Sequence, residues 1–243
     1  MAEHRIVLVG HVQQLLGISE RAAADRLRVL ALAGYVRRDP LFHRRAACHQ
    51  ITRKGLAAIE SDLRPPGRDL RSYQHDVGMA WLWLAARAGS FGALAEVVTE
   101  RRMRSHDATA DGRGRPVAIR LGGVGQGGGE RLHYPDLLLV DQSGGRIAVE
   151  LELTSKGRTR REGILAGYGA DPRVDAVLYL AGNAGVARNV RDSARKLGIS
   201  DRIIVQRARL DSSNPTLERA SRTAQRTHPA AARSGRVAIE ASP

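Results

Sequence analysis

The pattern of apolar and polar residues divides the chain into two parts with different predicted elements. Over residues 1–64, helical spacing of apolar residues around Gly17, followed by two short alternating runs, predicts helix, tight turn, helix, hairpin and helix. Over residues 72–206 the pattern predicts a helix, strands, helix, strand, helix and strand. That order is typical of a mixed sheet with helices packed on it. The sequence therefore predicts an α/β fold of the α+β kind.

Local start and stop signals place the first two helices and the hairpin. Gly17 follows the run His11–Leu16 and suits the left-handed conformation that ends a helix, and Ser19 supplies an N-cap oxygen for the next helix. Gly34 ends this second helix, and two strands then form a hairpin around Asp39. The second helix is expected to bury three apolar side chains on one face: Ala23, Leu27 and Leu30.

Two changes in composition mark the predicted domain boundaries. The pair Pro65–Pro66 is incompatible with a helix interior and favours an extended connection. From residue 207 the chain is polar and rich in Ser, Thr, Ala and Arg, which is typical of a disordered segment. We therefore predict four segments: an N-terminal domain (1–64), a linker (65–71), a larger domain (72–206) and a disordered basic tail (207–243).

The charge of the chain indicates a polyanionic partner. Its 39 Lys and Arg residues outnumber its 25 Asp and Glu residues and give a formal net charge of +14. A field of this sign attracts phosphates from a distance, so nucleic acid is the first candidate. Aromatic residues make up only 4% of the chain, which disfavours an RNA-binding module with base-stacking strands and leaves double-stranded DNA as the preferred partner.

Other compositional features narrow the class of protein. Cys48 is the single cysteine, which excludes disulfide frameworks and zinc sites of the CxxC type. No apolar run approaches the roughly 20 residues of a membrane helix, and the N-terminus lacks a secretory pattern. We therefore expect a cytoplasmic protein without a membrane partner.

Three carboxylates carry the strongest chemical signal. Asp136 opens an apolar strand, and Glu150 and Glu152 lie on one face of the following strand. Burying these negative charges together is unfavourable unless a cation joins them. We therefore expect a divalent metal held by Asp136 and Glu150. Mg²⁺ fits, because it keeps several waters and needs few carboxylates, and Mn²⁺ could substitute for it.

The N-terminal domain resembles a winged helix-turn-helix. The resemblance is carried by the turn Leu15–Ser19, the helix end Leu32–Val36 and the closing segment Ile51–Leu56. In such modules the second helix of the motif enters the major groove, and the wing contacts the backbone or the minor groove. The resemblance implies two sets of DNA contacts, in the groove from Arg21, Arg26 and Arg28 and to phosphates from Arg37, Arg38, Arg44 and Arg45. The alternative is a three-helix core with a solvated basic face.

The spacing of the acids resembles the PD-(D/E)XK nuclease fold, in which Pro-Asp is followed by (Asp/Glu)-x-Lys. Glu152 stands where this motif has lysine. If the strand continues, Lys156 shares the face of Glu152 and compensates in part for the missing cation, unless Gly157 ends the strand first. With the auxiliary acid that the resemblance implies, the candidate catalytic residues are Asp136, Glu150, Glu152, Lys156 and Glu100. The alternative is a Pro-Asp turn beside an exposed edge strand.

The two halves together resemble the replication-relaxation family of plasmids and integrative elements, which occurs mostly in actinobacteria and other Gram-positive bacteria. The likeness spans residues 5–205 and is best over Pro135–Leu139, over Val149–Leu153 and at Tyr168. It implies a role in plasmid replication, DNA relaxation or mobilisation, with duplex DNA and other plasmid replication or transfer proteins as partners. Because winged-helix proteins often pair, a homodimer is also expected. The alternative is a noncatalytic regulator or accessory factor with an inactive nuclease fold.

Overall fold

The computed structural model describes most of the chain and shows a mixed α/β protein. The described residues are 1–41, 45–67, 69–109, 118–124, 128, 130–210 and 215–217. In these residues, helices and one small hairpin form an N-terminal unit, and a larger sheet with helices on both faces follows. The expected α+β class is confirmed at this level.

The N-terminal unit consists of three helices and a hairpin. They are α1 (Val9–Leu16), α2 (Glu20–Leu32), β1 (Val36–Asp39), β2 (Cys48–Ile51) and α3 (Arg53–Ala58). The strands β1 and β2 pair antiparallel, as the hairpin prediction required. A single bridge between Val7 and His49 adds the segment before α1 to this hairpin.

The predicted turn between the first two helices is confirmed in detail. Gly17 follows α1 with φ 61°, in the left-handed region that glycine adopts without strain. The Ser19 hydroxyl accepts the Ala22 N–H at 3.2 Å and caps α2. The expected apolar face is only partly correct: Ala23 and Leu27 are buried, whereas Leu30 is 37% exposed.

The next helix, α4 (Tyr73–Arg87), packs on both parts of the protein. Towards the N-terminal unit, the Trp81 ring meets the His11 ring edge-on at a centroid distance of 4.3 Å, and Tyr73 joins a buried cluster with Cys48. Towards the sheet, Leu82 and Ala86 lie in its core. The segment predicted as a linker therefore leads into a helix that the two parts share.

Six strands form the main sheet, in the order β10-β9-β8-β7-β6-β3. β3 pairs antiparallel with β6, and β6 with β7; β7–β8 and β8–β9 are parallel, and β9–β10 is antiparallel. The strands are β3 (Leu94–Thr99), β6 (Leu137–Asp141), β7 (Arg146–Glu152), β8 (Ala176–Ala181), β9 (Ile203–Leu210) and β10 (Pro215–Leu217). A separate hairpin pairs β4 (Ile119–Val124) with β5 (Glu130–His133).

Helices cover both faces of the sheet. α6 (Arg158–Ala170) and α7 (Ala184–Lys196) share one core with α5 (Glu100–Thr109), and α4 covers the opposite face. Alternate residues of β7 enter the two cores: Ala148 faces α6 and α7, and Val149 and Leu151 face α4. Since β7 lies between β6 and β8, the alternative of an exposed edge strand is wrong.

Three predicted boundaries differ from the structure. Asp136 was expected to open a strand, and β6 begins one residue later, at Leu137. Lys156 was expected to share the face of Glu152 if the strand continued that far, but β7 ends at Glu152. The segment from 207 was expected to be disordered, but 207–210 continue β9, and 215–217 pair with β9 at the edge of the sheet. The other tail residues lie outside the described ones. Among the described helices, none has the length and apolar character needed to cross a membrane.

Candidate functional site

The sheet brings Asp136 and Glu150 together. The antiparallel register pairs Leu137 with Val149, which places the residues one step further, Asp136 and Glu150, opposite each other. The Asp136 N–H donates to the Val149 carbonyl at 3.0 Å, and Asp136 Oδ2 accepts the Leu151 N–H at 2.7 Å. The main chain of β7 therefore fixes the Asp136 carboxylate beside Glu150.

Glu150 is fully buried and is surrounded by donors. Its Oε1 lies 2.6 Å from His133 Nε2 and accepts the Tyr168 O–H at 2.6 Å, and its Oε2 accepts from Lys156 Nζ at 3.3 Å. Burial raises the pKa of this carboxyl, but the charge and hydrogen bond of His133, with Lys156 and Tyr168, outweigh it and lower the pKa. Glu150 is therefore ionised at neutral pH.

Lys156 reaches the site from a loop. Although β7 ends at Glu152, the loop returns the ammonium to Glu150, and the Lys156 side chain is only 23% exposed. Burial lowers the pKa of Lys156, but the charges of Glu150 and Asp136 raise it above its usual value. The ammonium therefore stays charged beside the acids. It lies where a compensating cation was expected, but it comes from a loop and not from the strand.

Asp136 has a histidine partner that the sequence analysis missed. His75 Nε2, on α4, lies 3.1 Å from Asp136 Oδ2, and its Nδ1 lies 3.9 Å from Asp76. Burial lowers the pKa of His75, but the charge of Asp136 and its hydrogen bond raise it to about 10. His75 is therefore an imidazolium at neutral pH. No local spacing could reveal this contact, because α4 and β6 are far apart along the chain.

Glu100 and Glu152 have different surroundings. Glu100 begins α5, its N–H donates to the Asp136 carbonyl at 3.2 Å, and its carboxylate pairs with Arg104 at 2.7 Å and Arg5 at 3.4 Å. Glu152 is buried and accepts the Lys156 N–H on Oε1 at 2.9 Å, while its Oε2 is buried without a hydrogen-bond partner in the described residues. Glu100 therefore adjoins Asp136 through the main chain, and Glu152 contacts the main chain of Lys156.

Side chains supply positive charge beside the acids. The His75 imidazolium lies beside Asp136 and the Lys156 ammonium beside Glu150, while His133 forms a short contact with Glu150. Within the ranges that the structure describes, no group of three or more His, Cys, Asp or Glu side chains is arranged to hold a metal ion. The buried acids need positive charge beside them, and in this structure the side chains of His75 and Lys156 provide it.

The predicted DNA-binding arginines lie on the surface of the N-terminal unit. Arg21, Arg26 and Arg28 on α2 and Arg37, Arg38 and Arg45 in the hairpin are exposed, whereas Arg44 lies outside the described residues. A groove of about 790 Å³ between α1, α2 and the hairpin is lined by both Arg28 and Arg38. At about 100° per residue, Arg21 and Arg28 share a face of α2 and Arg26 lies on another flank.

Two of these arginines have acidic neighbours. Arg28 Nε lies 3.8 Å from Asp25, and Arg37 Nε pairs with Asp39 at 2.7 Å. Arg37 also donates to the Gln50 side chain. Arg37 is therefore more restrained than Arg38, whose side chain lines the groove.

The N-terminal unit also touches the acidic site. Arg5 pairs with Glu100, and Glu3 accepts the Thr99 hydroxyl at 2.7 Å and pairs with Arg102 at 2.9 Å. Together with α4, these contacts connect the arginine-lined groove to the carboxylates.

Comparison of the chain with protein-family models, with curated proteins and with solved structures gave no match.

Proposed function

We propose that this protein binds duplex DNA through its N-terminal unit, with α2 in the major groove and the hairpin against the backbone. The observation that carries the proposal is that Arg28 of α2 and Arg38 of the hairpin line one groove. Arg21 adds a second exposed guanidinium on the face of Arg28. The net charge of +14 adds long-range attraction to phosphates.

Fluorescence anisotropy of a labelled duplex at several salt concentrations tests this proposal. The double variant Arg28→Gln/Arg38→Gln should bind more weakly. Each lost phosphate contact should reduce the slope of log affinity against log salt by about 0.9. Arg26→Gln serves as the matched variant on the other flank of α2 and should have a smaller effect. Unchanged affinity and slope in the double variant would refute a DNA contact at this groove.

We further propose that the sheet unit is a PD-(D/E)XK-like nuclease domain that nicks DNA. Asp136 and Glu150 are the residues that would hold Mg²⁺, or Mn²⁺ in its place, because two neighbouring carboxylates are oxygen ligands that suit a hard cation. The metal would supply charge neutralisation at the scissile phosphate and acidify a water. Lys156 keeps a positive charge beside Glu150, and Glu100 is the auxiliary acid next to Asp136.

A supercoiled plasmid incubated with the protein and Mg²⁺ tests the cleavage step. Nicked or linear product that disappears with Asp136→Ala and Glu150→Gln supports the nuclease proposal. An acidic residue away from the site, changed in Asp192→Asn, is the control that should leave cleavage unchanged. Plasmid that is retarded but intact at every metal concentration would refute cleavage and leave DNA binding in place.

One observation favours a second candidate function, a noncatalytic regulator or accessory factor. Asp136 already lies beside the His75 imidazolium and Glu150 beside the Lys156 ammonium, so side chains of the folded protein offset the negative charge of the site. In that case the acidic cluster stabilises the junction between β6, β7 and α4. Calorimetric titration with Mn²⁺ separates the two candidates: binding lost in Asp136→Ala supports the nuclease, and no binding supports the accessory factor.

The resemblance to the replication-relaxation family leads us to propose the biological setting. The protein would act in the cytoplasm on a plasmid or integrative element, in replication, relaxation or mobilisation. Other plasmid replication or transfer proteins would be its partners, and a homodimer would place two DNA-binding units on one duplex. Sedimentation velocity with and without DNA tests the homodimer, since a monomeric mass at all concentrations would refute it.

A further inference from the structure

Buried side chains hold the peptide groups on both sides of Lys156. The Lys156 N–H donates to Glu152 Oε1 at 2.9 Å, and the Lys156 carbonyl accepts from Arg161 Nη1 at 3.0 Å. Glu152 is 1% exposed and Arg161 is 6% exposed. The main chain of Lys156 is thus fixed from the strand behind it and from the helix ahead of it.

Arg161 has an unusual environment for a buried guanidinium. It lies in the first turn of α6, where its Nε donates to the Ser193 hydroxyl of α7 at 3.1 Å. Its hydrogen bonds in the described residues go to a hydroxyl and a carbonyl, and Ser193 is itself buried. Burying a cation is costly unless its donors are hydrogen-bonded. The bonds to the Ser193 hydroxyl and the Lys156 carbonyl therefore help to keep the Arg161 guanidinium in this buried position.

The same loop has a second link to α7. Asn189 Nδ2 donates to the Ser155 hydroxyl at 3.2 Å. The loop that follows β7 is therefore tied to the strand by Glu152, to α6 by Arg161 and to α7 by Asn189. With these ties, the Lys156 side chain has only to extend across the strand end to place Nζ 3.3 Å from Glu150 Oε2.

We infer that Glu152 and Arg161 are positioning residues that hold the Lys156 main chain, so that the Lys156 ammonium is kept beside the Glu150 carboxylate. The inference rests on the nuclease proposal for its consequence in catalysis. The strand position where the nuclease motif has lysine is filled by Glu152, which anchors the loop through a hydrogen bond. The cation of the site comes from Lys156 four residues later. Glu152 is then needed for its acceptor oxygen, and its negative charge is dispensable.

Hydrogen exchange measured by mass spectrometry tests the anchoring directly, without DNA or metal. Arg161→Met and Glu152→Ala should each speed amide exchange of residues 153–157 about tenfold, because each removes a hydrogen bond that involves a charged group. Glu152→Gln keeps an acceptor oxygen and should leave this exchange near the wild-type rate. Arg160→Gln is the matched control, since Arg160 is an exposed residue of the same helix. Unchanged exchange in both Arg161→Met and Glu152→Ala would overturn the inference.

Plasmid nicking tests the consequence. Glu152→Ala and Arg161→Met should lower kcat about 10- to 100-fold with an unchanged KM for DNA, as expected for groups that orient an active-site residue. Glu152→Gln should retain most of the wild-type kcat, whereas Glu150→Gln should abolish nicking. If Glu152 were a metal ligand, Glu152→Gln would lose as much activity as Glu150→Gln, and that result would overturn the inference.

The two experiments separate the two proposals. If the wild-type protein leaves plasmid intact, the nuclease proposal fails, and the exchange rates still decide whether Glu152 and Arg161 hold the loop. If Arg161→Met does not fold, the comparison of Glu152→Ala with Glu152→Gln decides it. Arg161→Lys adds a further comparison. Lysine keeps the charge but lacks the planar guanidinium with its two donor positions, so amides 153–157 should exchange about as fast as in Arg161→Met. Wild-type exchange in Arg161→Lys would contradict the requirement for a guanidinium that contacts both the Ser193 hydroxyl and the Lys156 carbonyl.

Discussion

The replacement Lys156→Met tests the electrostatic account of the buried site. It removes the ammonium that lies 3.3 Å from Glu150 Oε2 but leaves the carboxylate with no exposure to solvent. Removing one partner of a buried ion pair typically costs about 3–5 kcal/mol, because the remaining charge is uncompensated. His133 and Tyr168 still donate to Glu150, and Lys156 is partly exposed, so we expect a smaller loss of about 2–3 kcal/mol in the free energy of unfolding.

Urea denaturation followed by circular dichroism measures this loss, and a double-mutant cycle assigns it to the pair. Glu150→Gln removes the buried charge, so the double variant Lys156→Met/Glu150→Gln should be more stable than the sum of the two single effects predicts. Lys196→Met is the matched control, because Lys196 forms a surface ion pair and its side chain is 54% exposed. A loss in Lys156→Met no larger than that in Lys196→Met, or additive effects in the cycle, would refute the reasoning.

Three further predictions concern packing and pH. Gly55→Ala should lower the thermal unfolding midpoint, because the added Cβ would lie 2.2 Å from the Tyr35 carbonyl oxygen; an unchanged midpoint would contradict the close approach. Burial lowers the pKa of His75, but Asp136 raises it to about 10. The stability that the His75–Asp136 ion pair contributes is therefore complete below about pH 6.5 and is lost as the pH rises to about 10. Urea midpoints of His75→Ala should approach those of the wild type over that range, and a constant difference would argue against the ion pair. Burial lowers the pKa of His11 to about 4, so stability should fall as the pH drops from about 6.5 to 4, and His11→Asn should weaken this dependence in the same measurement.

The features that the sequence determined depend on residues close together along the chain. Gly17 and Ser19 set the turn between α1 and α2, because a left-handed glycine and an N-cap act within a few residues. The pairing of Asp136 with Glu150 is also local, since a short turn joins β6 to β7 and the alternation of β7 fixes which residues share a face. The sequence therefore predicted both the turn between α1 and α2 and the neighbouring acids.

The partners of those acids were decided only by the tertiary structure. His75 reaches Asp136 because α4 packs across the sheet, and Arg161 reaches the Lys156 carbonyl because α6 returns beside the loop. Hydrophobic periodicity indicates which face of a helix is buried but not which charged group on its flank will meet a distant carboxylate. The sequence determined that the acids need compensating charge, and the packing of helices on the sheet decided that histidine and lysine side chains supply it.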